Sequence, residues 1–267
     1  MNFLLAPIIV LFSIAFLAAC ILYVSAKKFK IEEDPIIDEV EQLLPGANCG
    51  GCGFAGCRQL AEKCVVDKNL EENKCPVGGN EVMQKIAAKL GLEAQESSPK
   101  IVVVRCKGYV CNRVKTTKYD GVKSCIMQAN QYGGETDCSY GCLGMGDCVA
   151  ACNFGAISIN EETGIPVIDH SKCTTCGACV KACPKFVLEM RKKTTPLYYV
   201  ACLNKEKGAV AKKACSAACI GCGICVKNCP SEAITLENNV AYINEEKCAQ
   251  CGTCVEKCPT KAINELV

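Results

Sequence analysis

Residues 219–230 read CIGCGICVKNCP and residues 248–259 read CAQCGTCVEKCP. Cys219, Cys222, Cys225 and Cys229 precede Pro230, and Cys248, Cys251, Cys254 and Cys258 precede Pro259 at the same intervals. A third run, residues 173–184 (CTTCGACVKACP), sets Cys173, Cys176, Cys179 and Cys183 before Pro184. Two-residue spacers let one short turn present three sulfurs to one cube. These intervals are those of [4Fe–4S] ligation, in which the fourth cysteine serves the neighbouring cube. Gly177, Gly223 and Gly252 let backbone N–H groups approach the sulfurs, and such bonds help set a potential. Zinc is the competing reading, but zinc sites use isolated Cys-x2-Cys pairs rather than complete runs.

The composition agrees. The chain has 267 residues with 27 Cys, and a disulfide scaffold would be shorter and even in cysteine. The single histidine, His170, cannot supply a Cys2His2 zinc finger or a Rieske centre and reads as a surface residue. A net charge of +2 gives no footprint for nucleic-acid binding. The length suggests more than one domain. No Trp and only 6% aromatics imply that something other than a large apolar core holds those domains together.

The second half repeats. Residues 148–190 and 225–266 each carry a cysteine run, a short Ala-Ile strand, a turn, a second strand and a second run. This resembles the two-cluster bacterial ferredoxin, present twice. The resemblance implies crossed ligation: Cys219, Cys222, Cys225 and Cys258 on one cube, Cys248, Cys251, Cys254 and Cys229 on another, and Cys173, Cys176, Cys179 and Cys152 on a third. The remaining site departs from the pattern, because Met145 stands where Cys222 aligns and Asn153 replaces the proline. Cys138, four residues before Cys142, is the natural substitute. The expected set is Cys138, Cys142, Cys148 and Cys183, with a three-iron cluster as the alternative.

Residues 3–24 are almost continuously apolar, followed by Lys27, Lys28 and Lys30. That is long enough to span a bilayer as one helix, and the positive-inside rule leaves the rest of the chain in the cytoplasm. A cleaved signal peptide would have a basic n-region, and a lipoprotein box at Leu17-Ala18-Ala19-Cys20 would not need the apolar run to continue. Residues 31–44 read as a short amphipathic helix. Next comes CGGCGFAGC, with Cys49, Cys52 and Cys57, then Cys75-Pro76 after seventeen residues. This is a further cluster signature. Its formal match to G-x-G-x-x-G is not a dinucleotide site, since no strand precedes it and a thiolate sits in the loop. Val82, Ile86 and Leu90 suggest another helix, and residues 96–99 a linker.

An apolar helix with a basic stop, the CGGCGFAGC module, tandem ferredoxin units, and the stretches CSYGCLGMGDCVAAC and CSAACIGCGICVKNCP together resemble the B subunit of the Rnf complex, in the multi-cluster form of anaerobic bacteria. The resemblance implies a small α+β chain. It divides into an anchor with basic stop (1–30), a mostly helical [4Fe–4S] module (31–95), a linker region (96–137) and two ferredoxin-like units (138–195 and 196–267). It implies an electron-transfer subunit of a Na+- or H+-translocating ferredoxin:NAD+ oxidoreductase. Soluble ferredoxin would be the donor and other membrane and peripheral subunits the partners, with the soluble part on the cytoplasmic side of the plasma membrane. NAD and flavin sites belong to other subunits in that family. A subunit of another membrane-bound reductase or hydrogenase, and a zinc-stapled adaptor, are the alternatives. No proton-transfer constellation or other catalytic group is evident.

Five cubes leave Cys20, Cys64, Cys106, Cys111, Cys125, Cys202 and Cys215. IVVVRC, ending at Cys106, and LYYVAC, ending at Cys202, precede the two units in parallel positions. Cys106, Cys125, Cys202 and Cys215 are therefore candidates for a sixth site joining the units, while free thiols such as Cys20 and Cys64 often serve as small apolar residues.

Overall fold

The computed structural model describes residues 5–28, 34–96, 98–131 and 134–266, with side chains of 5–10 and 26 left aside. Helix α1 (Leu5–Lys28) contains residues 5–24 of the apolar run, residues 3 and 4 lying outside the described residues, and every side chain from Leu11 to Val24 is exposed. Among the described residues no helix is long and apolar enough to cross a membrane, so the fold does not establish the expected span. Lys30 of the basic stop, Ile31 of the amphipathic stretch and Ser97 of the linker lie outside the described residues.

Helices α2 (Pro35–Leu43), α3 (Cys57–Asp67) and α4 (Gly79–Leu90) form the N-terminal module. Asp34 caps α2 by accepting a bond from Ile36 N at 3.0 Å, with Pro35 at the first turn. Both features favour a helix start. Ile37 and Val40, one turn apart, face Leu60 of α3 and Ile86 of α4. The latter helix buries Met83, Ile86 and Ala87, while Val82 and Leu90 sit at the rim. It stops at Gly91, whose φ of 67° is the left-handed cap that glycine adopts without strain.

The remainder is built from short antiparallel pairs. In the first unit β1 (Lys100–Val104) pairs with β4 (Leu188–Lys192), and β2 (Ile157–Ile159) forms a hairpin with β3 (Pro166–Ile168). In the second, β5 (Leu197–Val200) pairs with β8 (Ile263–Leu266), and β6 (Ile234–Glu237) with β7 (Val240–Ile243). Helices α5 (Cys125–Gln131) and α8 (Gly208–Ala214) precede the two units' first cysteine loops. The short helices α6 (Asp147–Ala150), α7 (Ala178–Ala182), α9 (Ile224–Lys227) and α10 (Thr253–Lys257) follow Gly146, Gly177, Gly223 and Gly252. All four glycines have φ between 71° and 89°, a turn that a Cβ would strain.

Strand β1 lies in the segment expected to be a linker. The strand forms because Ile101–Val104 is apolar on both faces and both faces are covered. Val102 packs with Val187 and Leu188 of the first unit, while Val103 packs with Leu197, Tyr199 and Ala201 of the second. The same segment returns to the second unit through a bridge between Arg113 and Cys215. A polar node adds to the joint. Arg191 on β4, only 2% exposed, pairs with Glu189 at 3.3 Å and Glu245 at 2.7 Å. It also donates to Ile243 O and lies over the Tyr242 ring.

Candidate metal centres

The cysteine loops place thiols around cavities. Cys219, Cys222, Cys225 and Cys258 line one, and Cys229, Cys248, Cys251 and Cys254 line a second. Cys173, Cys176, Cys179 and Cys152 stand close enough for their charges to interact. In the helical module Cys52, Cys57 and Cys75 are electrostatic neighbours, and Cys49 is half-buried at the head of the same loop. Asn48 Oδ1 accepts from Cys57 N at 2.8 Å, fixing that loop to the start of α3.

Two residues are placed otherwise than spacing suggested. Cys125, not Cys138, joins Cys142, Cys148 and Cys183 around one cavity. The cause is Asp147, whose carboxylate accepts from Cys125 N at 2.9 Å, Ile126 N at 3.0 Å and Ser124 Oγ at 3.0 Å. Asp147 thereby caps α5 and ties Cys125 to its own neighbour Cys148. Cys138 instead lines a different cavity with Cys106, Cys202 and Cys215. No spacing rule signals this exchange, since the Asp147 contact spans 22 residues. Of the other thiols, Cys64 is buried and donates to Asn73 O, and Cys20 and Cys111 are exposed. His170 is exposed.

Among the described residues no three His, Cys, Asp or Glu side chains converge closely enough to hold a single metal ion. The sets with Cys125, Cys219 and Cys248 surround cavities instead, which is what a cluster larger than one ion requires. Backbone donors reach the sulfurs: Gly78 N to Cys75, Ala156 N to Cys152 and Ala262 N to Cys258, at 3.3, 3.4 and 3.3 Å. Burial, reinforced by neighbouring thiols, pushes Cys148 up to about 12 and Cys179, Cys225 and Cys254 up to about 11. Thiols so placed become thiolates when a metal cation takes the proton's place. The donor chemistry therefore fits iron–sulfur clusters.

Families described as 4Fe-4S dicluster domain match residues 136–187, 172–234 and 218–263, and one described as "Putative Fe-S cluster" matches residues 44–77. The chain is 45% identical over 248 residues to the B subunit of the ion-translocating oxidoreductase complex of Methanosarcina acetivorans, covering 92% of each. This chain belongs to the family of ion-translocating oxidoreductase B subunits. Two further members agree. One is the B subunit of the Na+-translocating ferredoxin:NAD+ oxidoreductase complex of Acetobacterium woodii, 41% identical over 92% of this chain and 73% of that protein. The other is the B subunit of the proton-translocating ferredoxin:NAD+ oxidoreductase complex of Clostridium ljungdahlii, 42% identical over 92% of this chain and 86% of its own. The chain is thus an iron–sulfur electron-transfer component of an oxidoreductase complex, with several [4Fe–4S] clusters.

Proposed function

We propose that this protein takes electrons from reduced ferredoxin and delivers them to a membrane-bound, ion-translocating ferredoxin:NAD+ oxidoreductase complex. The clusters, when bound, supply one-electron redox steps. The chain's residues hold them, exclude water and donate N–H groups to their sulfurs. The ligand sets we assign are Cys49, Cys52, Cys57 and Cys75; Cys152, Cys173, Cys176 and Cys179; Cys125, Cys142, Cys148 and Cys183; Cys219, Cys222, Cys225 and Cys258; and Cys229, Cys248, Cys251 and Cys254.

The observation that carries the reading is that neighbouring sets abut. Gly51, in the Cys49 loop, lies so close to Cys176 that an added Cβ would fall 2.7 Å from the Cys176 carbonyl oxygen. Cys148 of one set senses Cys179 of the next, and Cys254 senses Cys225. Replacing Gly51 with Ala keeps every ligand but forces the two loops apart. In the assembled complex Gly51→Ala is expected to retain full iron content while ferredoxin-dependent NAD+ reduction falls. An unchanged rate would overturn this route.

Helix α1 is the membrane anchor in this reading. Its described apolar side chains find no cover in the fold, and Lys27 and Lys28 lie in its last turn, a basic end of the kind that stays on the cytoplasmic side. A chain lacking residues 1–30 should load iron normally and no longer sediment with membranes after alkaline extraction. Retention of that variant in the membrane fraction would assign anchoring to the other components of the complex.

A further inference from the structure

A cavity between the two dicluster units is lined by none of the three Cys-x2-Cys-x2-Cys-x3-Cys runs. Cys106, Cys138, Cys202 and Cys215 line it together with Arg113, Asn204 and Cys142, the last of which also lines the cavity of Cys125, Cys148 and Cys183. Cys106, Cys202 and Cys215 are buried and Cys138 is half-buried. We propose that Cys106, Cys138, Cys202 and Cys215 bind a sixth [4Fe–4S] cluster that joins the two units into one file. The proposal rests on the iron–sulfur reading above and goes beyond it in naming the ligands and the place of this site.

Three observations carry it. The first is the supply of donors. Gly108 N and Cys142 N each lie 3.4 Å from Cys106 Sγ. Asn204, 1% exposed, gives its backbone N–H to Cys202 Sγ at 3.5 Å and its side-chain amide to Cys138 Sγ at 3.6 Å. Free cysteines that merely fill a core do not need such partners, whereas cluster sulfurs use them. The second is charge. Arg113 stands near Cys215, donates to Cys142 O at 3.1 Å and keeps its Nε buried without a partner. A guanidinium beside four thiolates suits an anionic cluster and opposes a bare cation. The third is position. Cys106 and Cys202 each stand two residues beyond the outer strand of their unit, β1 and β5, so the packing of Val103 on Leu197 and Tyr199 sets their separation.

The neighbours of the cavity fix its place. Cys142, whose N–H meets Cys106, belongs to the set with Cys125. Cys219, whose backbone meets Cys202, belongs to the first set of the second unit. Without this site the file breaks between those two sets. With it, the sets containing Cys49, Cys173, Cys125, Cys106, Cys219 and Cys248 follow one another in that order. One electron at a time would pass between the adjoining clusters, oxidising one neighbour as the other is reduced, with no proton required.

The test is iron, acid-labile sulfide and zinc per chain, measured on the full chain loaded without oxygen. Wild type is expected to hold about 24 iron with matching sulfide, six times the content of one cube. The double variant Cys106→Ala/Cys202→Ala should lose about four iron, and Cys111→Ala none. Adding Cys138→Ala to the double variant should remove no more, because that thiol serves the same cluster. Adding Cys125→Ala should remove about four more. Asn204→Leu keeps all ligands and should lower the potential of one cluster in an EPR-monitored titration, a readout available even where an alanine variant fails to fold. About 20 iron in wild type, unchanged by Cys106→Ala/Cys202→Ala, would overturn the sixth site, as would zinc bound there. Little iron of any kind would overturn the iron–sulfur reading itself.

Discussion

Stripping iron from the loaded chain should abolish amide protection in strands β5, β6, β7 and β8. The apolar core of the second unit is too thin to fold on its own. Its buried residues include Cys202, Cys215, Cys225 and Cys254 and the small side chains Ala211, Ala217, Ala218 and Ala241, with Tyr198 the one aromatic in that cluster, while Tyr199 packs towards Val103 instead. The two strand pairs have strands of four residues each, and α9 and α10 have four and five. Two-stranded pairs of this length are marginal in water. Metal–thiolate bonds therefore close the structure, and binding free energy is folding free energy. The helical module, with Val40, Leu60 and Ile86 fully buried among three longer helices, should lose less protection. Hydrogen exchange before and after anaerobic chelation reads both regions at once. Unchanged protection in the second unit would show that the polypeptide core suffices.

Arg191→Met should destabilise the joint between the two units by about 3 kcal/mol, the low end for breaking a buried ion pair. The low end applies because Glu189 retains Arg105 at 2.9 Å and both carboxylates keep partial solvent contact. Met fills the space but leaves Glu245 without its cation and Ile243 O without its donor. The midpoint of denaturant-induced cluster bleaching, followed by visible absorbance, measures the change. Removing the stranded charge with Glu245→Gln in the Arg191→Met background should restore most of the loss, since Glu189 keeps Arg105. A shift of less than about 0.5 kcal/mol, the range of ordinary surface substitutions, would mean that the apolar contacts of Val103 alone hold the units together.

Ligands close together in the chain were legible because one loop holds them. In residues 219–225 and 248–254 two-residue spacers leave the sulfurs one possible side, and the glycine after the second cysteine of each run turns the chain. The repeat then supplied the crossed partners Cys258, Cys229 and Cys152 by resemblance to a ferredoxin. Helices α2 and α4 were legible from their apolar spacing, but β1 was not. An apolar run beside a Ser-Pro stretch does not disclose that a different unit will cover each of its faces.

The type of the clusters follows from cysteine intervals, because thiol spacing in a short loop is a local property of the backbone. Whether Cys125 or Cys138 faces Cys148 is not local. Asp147 draws Cys125 in across 22 residues, and Asn204 holds Cys138 from 66 residues away. Cys106 and Cys202 were recognisable as a pair from IVVVRC and LYYVAC, yet their common cavity exists only because Val103 packs on Leu197 and Tyr199. Sequence determined what each loop binds; the packing of one unit on the other decided which distant thiols meet, since those contacts depend on the assembled core rather than on any stretch of chain.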